Sequence, residues 1–196
     1  PMVWSDDGWL RTTDGEGIPQ VEAVAPALPS QSSAPSQIRE DFDGTELPRQ
    51  FQWLRSPWPD ELFSLRARAG HLRLFGRETI GSLFRQALVA RRQQSHCFSA
   101  GTVVEVEPRH FQQMAGLVCY YNSSKFHYLY ISHDESVGKH LRVMTCVPDQ
   151  VQSDIFTPPV AIASGRRVHL RVEVDYERLR FGYQVEGAEW QWLPQV

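Results

Sequence analysis

The clearest pattern in the chain is a series of short segments in which hydrophobic and polar residues alternate. In residues 167–175 every second residue is hydrophobic, namely Val168, Leu170, Val172 and Val174. Residues 98–107 repeat this period of two, which is typical of β-strands with one buried face. Further strands are predicted at residues 72–75, 83–91, 126–132, 141–146, 151–156 and 179–185. Because no window of a dozen residues shows a helical stripe, the pattern predicts an all-β sandwich.

One segment departs from this alternation. Residues 112–122, QQMAGLVCYYN, contain a run of small and apolar residues that ends in two tyrosines. Such a run predicts a strand that is buried on both faces and therefore needs a second layer above it. We expect residues 114–119 to form a central strand of the sandwich.

The first 37 residues differ from the rest of the chain. Residues 1–24 predict two short aromatic strands joined by a turn at residues 6–8, and two such strands cannot form a core alone. Residues 25–37, APALPSQSSAPSQ, contain three prolines and four serines without an apolar period, as linkers do. The sequence thus predicts a fragment at 1–24, a linker at 25–37 and a sandwich domain at 38–196.

The sequence at both ends of the chain predicts that the segments which pair with these ends are not part of it. The chain begins at Pro1, without an initiator methionine, and it ends in a segment that carries Trp190 and Trp192. An apolar edge strand without a partner invites association. We expect the sandwich to be truncated at its C-terminus and to associate with a complementary fragment or a second copy.

Composition and charge exclude several classes of function. A content of 41% hydrophobic residues suffices for a core, and a net charge of -3 provides no basic surface for nucleic acid. No stretch approaches the roughly 18 to 20 apolar residues of a membrane helix. Cys97, Cys119 and Cys146 lie in apolar strand-like segments, where free thiols act as small hydrophobes. This cysteine use favours a reducing cytoplasm over a disulfide framework.

Three acidic residues raise the question of a hydrolytic site. Glu173, Asp175 and Glu177 occupy alternate positions, and glycoside hydrolysis needs two carboxylates that flank the sugar bond. The third falls in a predicted hairpin turn at residues 175–178, which breaks the alignment. The pattern therefore favours the solvent face of an edge hairpin over a catalytic strand.

Two aspartates could bind a metal ion. Asp41 and Asp43 flank Phe42 at the predicted start of the sandwich, where their oxygens could bind a structural calcium ion. In the alternative, which we favour, they cap the following turn. No other cofactor is expected.

Two other groups of polar residues are weaker candidates for a metal site or a catalytic site. Three histidines and one aspartate lie close together in sequence: His127, His133, Asp134 and His140. Their spacings match no ligand pattern that a hairpin brings together, so we expect sheet-surface residues. His110 and Cys119 could pair as base and nucleophile, but a buried thiol is usually inert.

Four tryptophans could form a platform on which sugar rings stack. They are Trp53, Trp58, Trp190 and Trp192. Packing in a core or between domains is the more frequent use of tryptophan.

Three longer segments resemble a known family. Residues 41–57 (DFDGTELPRQFQWLRSP), 70–94 (GHLRLFGRETIGSLFRQALVARRQQ) and 112–122 are similar to the C-terminal β-sandwich of bacterial β-xylosidases of glycoside hydrolase family 43. Residues 1–11, PMVWSDDGWLR, resemble the closing segment of the five-bladed β-propeller that precedes this sandwich. The resemblance implies a concanavalin A-like antiparallel β-sandwich, or jelly roll, from about residue 38 onward.

The resemblance also implies that the catalytic residues lie outside this chain. In that family the catalytic carboxylates of an inverting hydrolysis belong to the propeller. The sandwich contributes a loop to the pocket around the terminal xylose. That loop corresponds to a region after residue 196. We therefore expect no catalytic residue here, and a cytoplasmic bacterial accessory domain that buttresses a propeller acting on xylo-oligosaccharides. The alternatives are a free carbohydrate-binding module for xylo-oligosaccharides and a sandwich hydrolase that uses Glu173 and Asp175.

Overall fold

Antiparallel β-strands form almost all the regular structure in the part of the chain that the structure describes. The computed structural model describes residues 2–12, 17–18, 21–22, 29, 39–54, 56–148 and 154–195. Within these ranges the only helical element is one 3₁₀ turn at Pro59–Glu61, and no helix is long and apolar enough to span a membrane. The predicted all-β class is confirmed.

The chain divides into two compact units, residues 1–40 and residues 41–196. In the first unit, β1 (Met2–Trp4) pairs with β2 (Leu10–Thr12). Ser5 Oγ stabilises the turn between them by donating to Trp9 O (2.8 Å). The predicted linker at 25–37 lies outside the described residues, except for Pro29.

Four short strands open the second unit. β3 (Phe51–Trp53) pairs with β6 (Val89–Arg91), and β4 (Phe63–Ser64) pairs with β5 (Arg73–Leu74). The predicted strand at 83–91 is wrong over residues 83–88. There the Glu78 carboxylate accepts hydrogen bonds from the Ser82 hydroxyl and from Arg85 N, and these bonds fold the segment into a loop.

Two larger antiparallel sheets form the body of the second unit. Their strands are β7 (Cys97–Val104), β8 (Ala115–Asn122), β9 (Lys125–Asp134), β10 (Gly138–Cys146), β11 (Asp154–Phe156), β12 (Val160–Ala161), β13 (Val168–Asp175), β14 (Arg178–Val185) and β15 (Gln191–Trp192). We call the five-stranded sheet, with the order β11-β10-β9-β8 and β12 also on β10, sheet A. The four-stranded sheet, with the order β15-β14-β13-β7, is sheet B.

The main core lies between these two sheets. Its fully buried members come from β9 and β10 of sheet A and from β13 and β14 of sheet B: Leu129, Ile131, Leu141, Val143, Val168, Leu170, Val172 and Phe181. The predicted alternation in β13 is confirmed, because its hydrophobic positions face this core. Each such side chain contributes roughly 1.5–3 kcal/mol by burial.

The predicted central position of residues 114–119 is wrong. Among the described residues β8 pairs only with β9, so β8 is an edge strand and none of its side chains is fully buried. Its apolar run has another cause. Leu117 and Cys119 pack against the main core, while Val118 and Tyr120 pack against a smaller cluster on the other face of sheet A.

Candidate functional site

The face of sheet A that points away from the main core carries a cleft of about 350 Å³. Such a volume lies within the range of small-molecule pockets, roughly 300–1,000 Å³. The lining residues come from β9, β10, β11 and the loop before β8: Phe111, Met114, Tyr130, Ser132, Asp134, His140, Arg142, Met144 and Phe156.

Strand pairing positions the floor of this cleft. Tyr130 lies directly opposite Arg142, and Ser132 lies opposite His140, in the ladder between β9 and β10. These residues alternate with the core residues of the same strands, so they share the outer face. Phe156 is brought beside them because β11 pairs with β10 at Met144.

A hydrogen bond fixes the loop that borders the cleft on the β8 side. The buried Ser132 Oγ donates to Phe111 O (3.1 Å). The Phe111 side chain itself is 71% exposed. The loop is thus attached to the floor through its backbone, while its aromatic ring remains accessible.

Arg142 provides a cation at the β11 side. Its Nε donates to Thr157 O (3.1 Å), and its guanidinium lies 4.6 Å from the centre of the Phe156 ring. In the described parts of the chain, no carboxylate forms an ion pair with Arg142. Its remaining N–H donors are therefore available to a ligand.

His140 and Asp134 provide acceptors. The Nδ1 atom of the buried His140 donates to Gly138 O (3.1 Å), so Nε2 is the nitrogen that can accept a hydrogen bond in the neutral tautomer. Hydrogen bonds from the side chain and backbone of Ser136 lower the pKa of Asp134. Asp134 is therefore ionised at neutral pH.

Tyr130 completes the floor between these groups. Its ring lies edge-on to His140, with 6.5 Å between ring centres. Burial raises the pKa of Tyr130, although the Arg142 charge acts in the opposite direction. The phenol therefore remains protonated at neutral pH, and the cleft combines donors, acceptors and aromatic rings as binding sites for polar ligands do.

A second cavity of about 450 Å³ lies beside the hairpin of β13 and β14, and Glu173 and Asp175 line it. Glu173 is engaged by Arg180 Nη2 (2.5 Å) and by Arg171 Nη2 (3.1 Å). Glu177 lies in the turn between the strands, as predicted. The hairpin is not at an edge, however, because β7 and β15 flank it in sheet B. Its carboxylates do not form the free pair that glycoside hydrolysis needs.

Asp41 and Asp43 lie on either side of the half-buried Phe42, whose ring contacts Phe51 at 5.6 Å between centres. The described residues bring no group of three or more metal-binding side chains together. A calcium ion takes six to eight oxygen ligands, so most would have to come from backbone carbonyls and water. The structural calcium at Asp41 and Asp43 stays a prediction.

The histidines do not converge. His127 and His133 lie on the core-facing side of β9, at the positions that alternate with Tyr130 and Ser132, whereas His140 lies on the outer face of β10. Burial, with the nearby Lys125 charge, lowers the pKa of His127, whose Nδ1 lies 3.0 Å from Thr145 Oγ1.

Two cysteines test the prediction of buried, inert thiols. Burial raises the pKa of Cys119 to about 11, so this thiol is not a nucleophile. Cys97 was predicted to act as a buried hydrophobe, but it is exposed, because the core-facing positions of β7 begin at Phe98. Partial desolvation and the hydrogen bond from its Sγ to Asp175 raise the pKa of Cys97.

The tryptophans do not form one platform. Trp53 packs edge-on against Phe63, and Trp190 stacks on Trp192. Trp192 in turn lies against Gly182, and the Arg180 guanidinium lies 4.2 Å from its ring centre. The Trp192 ring therefore already makes a cation-π contact within sheet B.

Comparison with known proteins identifies the family of this chain. Residues 39–196 match the model of the β-xylosidase C-terminal concanavalin A-like domain. The chain belongs to this family. It is the C-terminal, non-catalytic domain of enzymes of the glycoside hydrolase family 43 type, and the predicted sandwich class is confirmed.

Three relatives illustrate the match of this C-terminal domain. A putative β-xylosidase of Escherichia coli (strain K12) is 37% identical over 96% of this chain and 35% of its own length. Xylosidase/arabinosidase 43B of Humicola insolens is 35% identical over 95% of this chain and 35% of its own length. The crystal structure of xylan β-1,4-xylosidase from Bacillus halodurans C-125 aligns with a TM-score of 0.88 at 36% identity, over 100% of this chain and 38% of that chain. The chain thus spans just over a third of the length of these relatives.

The cleft is not among the sites that the sequence predicts. The available signal was β9, in which Tyr128, Tyr130 and Ser132 alternate with Leu129 and Ile131. Aromatic residues at the outward positions indicate that both faces of the strand are covered. The propeller origin of residues 1–24 stays a prediction.

Proposed function

We propose that this C-terminal domain belongs to a β-xylosidase or α-L-arabinofuranosidase that removes terminal xylose or arabinose from short oligosaccharides. The proposal rests on the match of residues 39–196 to the β-xylosidase C-terminal domain family. The names of the relatives, β-xylosidase and xylosidase/arabinosidase, support this class of substrate.

Within such an enzyme the domain buttresses the catalytic propeller and helps to shape its substrate pocket. Glu173 in the hairpin cavity is ion-paired with two arginines, so it is not free to act as a catalytic acid or base. This supports an accessory role in which another part of the enzyme provides the catalytic acid and base. A cytoplasmic location in a bacterium fits the three cysteines, none of which forms a disulfide with another described residue.

A chimera tests this role. The C-terminal part of the Bacillus halodurans enzyme that aligns with this chain is replaced by this chain, and hydrolysis of xylobiose is measured beside the truncated enzyme. We expect the chimera to be more active than the truncated enzyme, because the domain supports the propeller. Equal activity of the two proteins, with the chimera folded, would contradict the proposal.

A further inference from the structure

We propose that the cleft on the outer face of sheet A binds a neutral sugar unit of an oligosaccharide. The floor of the cleft is Tyr130, Ser132, His140, Arg142 and Met144, and its borders are Phe111, Met114, Asp134 and Phe156. The contacts, charges and exposure of these residues support this ligand class.

Aromatic rings at both borders favour a ligand with an apolar face. Phe111 is 71% exposed and Phe156 is 43% exposed. Leaving such rings in water forfeits the free energy of burying them, so a bound group that covers them is favoured. The C–H face of a sugar ring provides a flat apolar surface of this kind.

The polar groups between the rings match hydroxyl groups. Arg142 has N–H donors without an acidic partner among the described residues, while Asp134 and His140 Nε2 provide acceptors. A sugar hydroxyl both donates and accepts, so a hydroxyl of the bound unit can pair with either kind of group.

The charges select a neutral ligand over an ionic one. Asp134 is ionised and Arg142 is positively charged, and both line the same cleft. An anionic ligand would be repelled by Asp134, and a cationic ligand by Arg142. A neutral polyol can use both groups.

The cleft is held in place before a ligand binds. Its floor side chains come from two adjacent strands of a five-stranded sheet, and the Phe111 loop is attached by the bond from Ser132 Oγ. Sites built on paired strands keep their geometry, which lowers the entropy cost of binding.

Calorimetric titration of this 196-residue chain with xylotriose, arabinotriose and cellotriose tests the proposal. The choice of pentose probes rests on the proposed function, whereas the ligand class rests on the cleft. We expect saturable binding of at least one of the three sugars. Absence of binding to all three at concentrations up to about 10 mM, the range of weak sugar binding, would overturn it.

Three variants locate the binding. Phe111→Ala and Arg142→Gln should each weaken binding about tenfold, which corresponds to about 1.4 kcal/mol. Tyr121→Ala is the matched control, because Tyr121 is equally exposed on β8 but does not line the cleft. Phe111 is exposed, so its loss should leave the fold intact, as circular dichroism can verify. Wild-type affinity in both cleft variants would overturn the proposal.

The titration is independent of catalysis. It measures heat from the chain alone, whereas the chimera reports hydrolysis. An inactive chimera together with cleft-dependent sugar binding would reject the accessory role and support the sugar site. An active chimera together with no sugar binding would support the role and reject the site.

Discussion

Gly116 sets how closely β8 approaches β9. A Cβ atom added at this position would lie 2.0 Å from Leu129 O and 2.7 Å from Tyr130 Cα. Both are backbone atoms of the central strand and cannot move without disturbing the ladder. Gly182 differs, because the atoms nearest to a Cβ there belong to the Trp192 side chain, the first at 2.8 Å.

Replacing Gly116 by alanine should therefore destabilise the fold. We expect Gly116→Ala to lower the free energy of unfolding by about 3 kcal/mol, the upper range of the cost of overpacking. Gly76→Ala is the control, because no atom lies within 4 Å of the added Cβ and its backbone φ is not positive. Urea unfolding followed by circular dichroism measures both, and equal stability of the two variants would contradict this account.

At the scale of elements, Lys139 and Glu107 connect β10 with two loops. The buried Lys139 Nζ lies 2.6 Å from Glu107 Oε1, which also accepts a hydrogen bond from Gly165 N (2.8 Å). The bond from Lys139, followed by the bond from Gly165, lowers the pKa of Glu107. The ionised carboxylate therefore stabilises the folded state.

This pair should make stability depend on pH. A lowered folded-state pKa adds stability above the unfolded-state pKa of about 4.3, and this stability is lost as the pH falls through the folded-state value. We expect Glu107→Gln to lower the free energy of unfolding by about 1–2 kcal/mol at pH 7. The expected loss is no larger because the Glu107 side chain is half exposed, and water weakens its interaction with Lys139. This loss of stability should become smaller below about pH 4, because Glu107 then becomes protonated in the wild-type protein as well.

Thermal unfolding at several pH values measures the effect. The control is Glu186→Gln, which removes an ion pair between two exposed side chains, with Arg167, and should cost less. A cost for Glu107→Gln that stays constant from pH 7 to pH 3 would be inconsistent with this role of the pair.

The alternation of hydrophobic residues predicted the elements well and their arrangement poorly. It identified β13 and β14 because each has one face on the core. It predicted a central position for residues 114–119, and this prediction is wrong. An apolar run indicates that other residues pack on both faces of a strand, but it does not indicate where the strand lies in the sheet. The cleft could not be predicted, since pairing of distant segments brings Phe111, Arg142 and Phe156 together.

At the scale of the whole molecule, β7 leaves one edge of sheet B open. Among the described residues β7 pairs only with β13, and its core-facing Ala100 and Thr102 are exposed. Val103, on the outer face of the same strand, is 49% exposed. An eight-residue edge with few charges favours pairing with another strand.

We expect the chain to self-associate through this edge at concentrations of about 100 µM, and Val103→Lys to shift it toward the monomer, because lysine on an edge strand opposes pairing. Light scattering coupled to size-exclusion chromatography measures the mass. Phe84→Lys, at an exposed position outside the strands, is the control. A wild-type chain that remains a monomer at all concentrations would contradict the prediction.

The central claim is that this domain serves a glycoside hydrolase without performing the hydrolysis. The most direct test is to incubate the purified chain with 4-nitrophenyl β-D-xyloside and to measure the release of 4-nitrophenol. We expect no release above the rate in buffer, because Glu173 is ion-paired with Arg171 and Arg180 and Glu177 lies in a turn. Steady turnover by the pure chain, abolished by Glu173→Gln, would contradict it.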